Sequence, residues 1–266
     1  MHASSPELYF AIAIAAKMAL TGLFLVIATV LAERGGPLIG GLVTTLPISA
    51  GPTYLFLALD HPSQFIAGAA LMTLVFNAVN TLFAVVYAVL AQRRSLAVSL
   101  GSALMVWLAA APILPLVPWT LTSAVALNAV VVLLALRATR ELRHTRAPRV
   151  PARWSDLLFR ALGVALLVGA IVAFSFRIGA AASGMLATFP MVFSSVIFVL
   201  HRRVGGPASA AVLANAILGV TGFALAAIAV HVAAVPLGSF TALSLALAIS
   251  FAWGGSILLL RRTRTA

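Results

Sequence analysis

The stretch KMALTGLFLVIATVLAERGGPLIGGLVTTLP, residues 17–47, lies without a gap over RALGVALLVGAIVAFSFRIGAAASGMLATFP, residues 160–190, when the chain is slid along itself by 143 positions. Apolar similarity between membrane helices is cheap, but these coincidences fall on scarcer residues. Arg34 meets Arg177, Gly36 meets Gly179, Gly41 meets Gly184, Thr45 meets Thr188, Pro47 meets Pro190, and the basic Lys17 meets Arg160. An internal repeat governs how the rest of a chain is read. Further on, a shorter connector in the second copy is expected to move the spacing to 138 and pair Asn77 with Asn215.

Around these copies the composition excludes a water-facing surface. Of 266 residues, 63% are hydrophobic and 8% charged, against roughly 25% charged in a soluble domain; mean hydropathy is +1.15. The formal charge of +12 would suggest nucleic acid in a soluble chain, but here the arginines sit in short connectors between apolar stretches. That is the positive-inside pattern of a membrane protein, and no nucleic-acid partner is expected. Cysteine is absent, which removes disulfide, thiolate and cysteine–zinc chemistry. The opening MHASSPE lacks a basic n-region, so the first apolar stretch reads as a retained span.

A helix rises 1.5 Å per residue, so a hydrocarbon core of about 30 Å takes roughly 20 apolar residues. On that measure about nine spans are expected, near 9–31, 36–59, 64–91, 96–117, 119–137, 155–176, 179–200, 207–233 and 237–260. The basic connectors Arg93-Arg94, Arg137 to Arg153, Arg202-Arg203 and the tail from Arg261 then fall on one side, with Arg177 the exception. The connectors near Asp60-His61, Leu116 to Trp119 and Val235 to Gly238 hold no arginine or lysine. The N-terminus is therefore expected outside and the C-terminus in the cytoplasm, in a bacterial inner membrane.

Spans one to four make the first copy (1–117), a linking span and basic loop follow (118–153), and spans six to nine make the second (154–266). An odd number of crossings before the second copy inverts it. The expected fold class is an all-α polytopic membrane protein with two inverted four-helix repeats and a linking helix. Inverted repeats characterise secondary transporters, because two such copies can exchange conformations and expose one site to either side.

Proline near mid-membrane removes a backbone donor and breaks or kinks the second and seventh spans. The exposed N–H groups and half-helix dipole suit an anion. Around the breaks stand Thr44, Thr45, Pro47, Ser49 and Thr53 in one copy, and Thr188, Pro190, Ser194 and Ser195 in the other; close packing through small residues is the structural alternative. Lys17, the only lysine, lies roughly 12 Å into span one, either as counter-charge in a site or snorkelling outwards. Arg160, beside Trp154 and Asp156, faces the same choice or a pair with Asp156. Asn77, Asn80 and Asn215 are amides needing partners in lipid, as ligands for a solute or as interhelical glue.

No carboxylate falls inside a span, because Glu7, Glu33, Asp60, Glu141 and Asp156 all sit near span ends. That favours a facilitator, an exchanger or coupling through the solute's own charge over a proton relay. The five histidines are scattered, and hydrolase, nucleotide and dinucleotide motifs are missing. No metal, cofactor or enzymatic activity is expected.

The segment AERGGPLIGGLVTTLPISAGPTYLFLALD (32–60) resembles the small GlpM-type membrane proteins, with a similar Gly-rich, Leu-Pro stretch after a first span. RIGAAASGMLATFPMVFSSVIFVL (177–200) resembles it less closely, with Gly36, Gly41, Pro47, Gly184 and Pro190 as matching positions. The resemblance implies a fused pair of four-span units and a link to envelope polysaccharide production. The sequence thus leads to the expectation of a secondary transporter or facilitator for a small anionic organic solute, compatible with a homodimer. A non-transporting scaffold subunit of an envelope-assembly complex is the alternative.

Overall fold

The structure, a computed structural model, describes residues 6–34, 50–144 and 153–262. Thr44, Thr45, Pro47 and Ser49 lie outside them. The described residues are helical with short connectors and no strand: α1 (Pro6–Arg34), α2 (Ala50–Asp60), α3 (Ser63–Leu90), α4 (Leu96–Ala110), α5 (Leu121–Ala138), α6 (Trp154–Ala187), α7 (Met191–Val204), α8 (Gly206–Leu237) and α9 (Ser239–Arg262). Among them seven helical stretches are long and apolar enough to cross a membrane. The chain is an all-α polytopic membrane protein.

The stretch Trp154–Val204 counts as one of the seven, yet its 51 residues would reach about 75 Å if straight, far more than one crossing. It doubles back. Gly179 has φ 77° and ψ 178°, a region open in practice only to glycine, and the helix stops again at Thr188 before α7 begins after Pro190. In α7, Met191 lies against Gly163 of α6, and Arg203 reaches Asp156 near the start of α6. The half-helix α7 therefore returns along the way α6 came.

Two antiparallel contacts organise the bundle. α1 packs against α6 with Gly22 facing Ala165 and Ile14 facing Gly169. α3 packs against α8, with His231 Nδ1 bonded to the Ala67 carbonyl at one end (2.8 Å) and Gly206 against the Ala91 carbonyl at the other. Small residues permit this closeness, as in membrane helix pairs generally. α3 is the central element: 18 of its 28 residues are buried, and it also touches α4, α5 and α6.

Gly184 shows how tight the middle is, since a Cβ there would strike the backbone of Ala69 on α3. Gly219 on α8 has open space around it. Gly184→Val should prevent recovery of a monodisperse protein in mild detergent, because backbone cannot yield as a side chain can, whereas Gly219→Ala should keep or raise Tm. Size-exclusion profiles with thermal melts check both.

Candidate functional site

Every carbonyl freed by a helix break inside a bilayer needs a partner from the protein. α3 supplies two, because Thr73, Asn77 and Asn80 stand at i, i+4 and i+7 and so share one face. Thr73 Oγ1 donates to the Gly184 carbonyl (2.8 Å) and Asn80 Nδ2 to the Thr188 carbonyl (2.7 Å). Thr73 is held in turn by the Tyr54 hydroxyl of α2 at 2.7 Å. Thr188 is buried, its hydroxyl turned back onto the Met185 carbonyl (2.6 Å).

Asn77 is oriented by Asn128 of α5. Asn128 donates to the carbonyls of Leu74 (2.7 Å) and Ala124 (2.9 Å), so its Oδ1 faces Asn77, whose Nδ2 must be the donor (2.8 Å). With both amides fixed this way, Asn77 Oδ1 and Asn80 Oδ1 remain buried acceptors without a hydrogen-bond partner among the described residues. Each such orphan costs about 1–3 kcal/mol. Across the break, Ser194 Oγ on the first turn of α7 is likewise buried and unpartnered. Pro190 stands just before that turn, and the aromatic wall here is Phe189, ring to ring with Trp107 at 4.9 Å.

The break thus has two buried acceptors on α3 beside it and, beyond it, the N-terminus of α7, the positive end of a half-helix dipole. A ligand that carries both a negative group and hydrogen-bond donors matches this set. Ser195 bonds to the Val192 carbonyl (2.9 Å) within α7.

Lys17 and Arg203 are each paired with a carboxylate. Lys17 Nζ is 2.6 Å from Asp60 at the end of α2 and 5.8 Å from the Phe56 ring centroid, so its charge is balanced locally. Asp156 is bonded to Arg203 (2.5 Å), a partner that sequence distance hides, and Arg160 sits one turn further along α6. Asn215 of α8 donates to the Ala211 carbonyl (2.9 Å) and, at 3.3 Å, to the Arg143 carbonyl. Asn128 and Thr73 were legible by the rule that singles out Asn77, a polar side chain amid apolar residues.

A second feature adjoins the seam at Thr73: a cavity of 520 Å³ between α1, α2, α3, α8 and α9, almost wholly apolar, with Tyr54 on its wall. Comparison of the chain with protein-family models, with curated proteins and with solved structures gives no match in any of the three.

In the connector after α2, His61 stacks on Phe65 (3.8 Å) and bonds Ser175 of α6 (2.7 Å). Loss of water lowers its pKa below the ordinary value, aided by the Lys17 ammonium and opposed by Asp60. A folded pKa below the unfolded one means the unfolded chain binds the proton first. Stability should therefore fall as pH drops through the window just below about 6.5. Melting curves from pH 7 to pH 5 should show a slope that His61→Gln reduces; an identical slope in the variant would assign it to other groups.

Proposed function

We propose that this chain is a secondary transporter, facilitator or exchanger working by alternating access between inverted repeats α1–α4 and α6–α9, with α5 as the link. Its solute would be a small organic anion bearing hydrogen-bond donors. The observation that carries the reading is that corresponding helices lie against each other antiparallel, α1 on α6 and α3 on α8. That is the relation produced by an axis in the membrane plane, the arrangement alternating access uses.

Three further observations support the pairing. α3 and α8 start 143 residues apart, as do α4 and α9. α2 touches α9 just as α7 touches α4, which exchanges the halves. Asp60 and Arg203, also 143 apart, each tie the end of a short helix, α2 or α7, to a long one, α1 or α6, with the charges reversed. The helix starts do not follow a shift to 138. α8 is four residues longer than α3, and that extra turn takes up the connector, so Asn77 corresponds to Val220 and not to Asn215.

Nine crossings follow if 36–60 is a broken span like 179–204. Within the same proposal stand the cytoplasmic C-terminus, the inner membrane and the descent of each half from a GlpM-type unit. The anion preference rests on the N-terminus of α7, since Lys17 is neutralised by Asp60.

The repeat is tested by a disulfide on its axis. A Cβ at Gly22 would stand 3.9 Å from that of its counterpart Ala165, within disulfide range. Because the chain lacks cysteine, Gly22→Cys with Ala165→Cys should close under mild oxidant, and failure would overturn the antiparallel contact.

The function is tested by a thermal-shift screen of the detergent-purified protein. Hydroxy- or amino-carboxylates should raise Tm in a concentration-dependent way and plain alkanoates less, and the effect should weaken at least about tenfold in Asn80→Leu, one hydrogen bond's worth. Uptake of the same solute into proteoliposomes should follow. No shift and no uptake would move the assignment to the non-transporting scaffold.

A further inference from the structure

The cavity between α1, α2, α3, α8 and α9 has a counterpart in the other half, and that counterpart is full. Counting 143 positions along the chain from Ala50, Tyr54, Ala70, Ala226 and Val230 on its walls leads to a packed cluster around Phe83, Tyr87, Ile197 and Leu213, with Phe193 against it, while its α1 wall leads to Gly163, Val164 and Leu167. Where the cavity has Ala226, Ala50, Ala70 and Val230, the counterpart has Phe83, Phe193, Leu213 and Tyr87. The rings of Phe83 and Phe193 lie parallel, 6.4 Å apart, in the equivalent space. Leu20, Phe24, Tyr54, Phe223 and Phe240, larger than their counterparts Gly163, Leu167, Ile197, Asn80 and Ala97, run the other way without closing it; the Tyr54 hydroxyl is held by Thr73. At the four positions of Ala50, Ala70, Ala226 and Val230 the larger side chains stand in the other half.

A void of 520 Å³ lies within the roughly 300–1,000 Å³ range of ligand sites, and leaving its walls without contacts is costly. Its rim is formed by Leu20, Leu55, Phe240 and Leu247, each about half exposed on the outside of the bundle. In a polytopic membrane protein that outer apolar surface faces lipid, so the opening is lateral. Its hydroxyls, on Thr21, Tyr54, Thr73 and Ser244, are few, and no charged side chain is among the described residues that line it.

We propose that this cavity is a binding site for the hydrocarbon chain of a bilayer phospholipid, kept open in one half and filled by aromatic side chains in the other. The choice of replacements rests on the repeat pairing of the proposed function; the cavity and its lateral opening do not. A bound chain would lie beside Thr73 and so beside the break that α3 holds.

The test uses the full-length protein in vesicles containing phosphatidylglycerol with a photoactivatable diazirine in one acyl chain, with adducts mapped by mass spectrometry. Lipid lying around the bundle can label exposed Leu133, but only a chain inside the cavity can reach Tyr54, which is 5% exposed. The wild-type protein should carry adducts at both. Ala226→Phe, which copies Phe83, should lose the Tyr54 adduct at least about tenfold and keep that at Leu133. If Ala226→Phe fails to fold, Ala70→Leu, which copies Leu213, makes the same prediction. No Tyr54 adduct in the wild type, or one unchanged in a folded filled variant, would overturn the proposal. A protein that labels Tyr54 yet moves no solute would sink the transport reading alone.

Discussion

A helix broken inside a bilayer leaves carbonyls that water cannot reach, and the burial of α3 follows from that constraint. Thr73 and Asn80 reach the carbonyls of Gly184 and Thr188, and to do so α3 must press against the end of α6 so closely that Gly184 tolerates no Cβ. Once α3 is fixed there, α5 can orient Asn77 through Asn128 and α8 can run back along the opposite side of α3. Asn77 and Asn80 each keep an oxygen without a hydrogen-bond partner among the described residues, so the helix that holds the break together also furnishes a candidate site.

The ionic residues do different work. Lys17 with Asp60, and Asp156 with Arg203, are partly exposed pairs: one ties the end of α2 to the middle of α1, the other the end of α7 to the start of α6. A lysine in an apolar span is a functional hypothesis by default; here its partner lies 43 residues away, at the start of a connector. What remains available for a solute is acceptor-rich on α3 and dipolar at α7, which is why donors and a negative group are assigned to the same molecule.

The asymmetry between the halves bears on both proposals. Under the proposed duplication, alanine and valine on the cavity wall stand 143 positions from phenylalanine, leucine and tyrosine in a packed cluster, so one half would carry a pocket where the other is filled. Phe193 of α7 and Leu100 of α4 pack on the cluster around Phe83, whereas α2 and α9 stand beside the cavity.

Composition and span length alone determined that this is a helical membrane protein, because an apolar helix has a fixed rise and a bilayer a fixed thickness. Glycine and proline spacing foretold the break at Thr188 to Pro190, since backbone geometry there is local. Asn77 was legible as a polar residue in an apolar helix, and Asn128 was legible on the same ground. The partners were not: Asp60 for Lys17, Arg203 for Asp156 and Asn128 for Asn77 depend on how helices distant in sequence turn towards each other. The same holds for the cavity, whose walls come from five helices. Hydropathy and periodicity are properties of one helix, while pairing and empty space are properties of several placed together, and only the tertiary structure decided those.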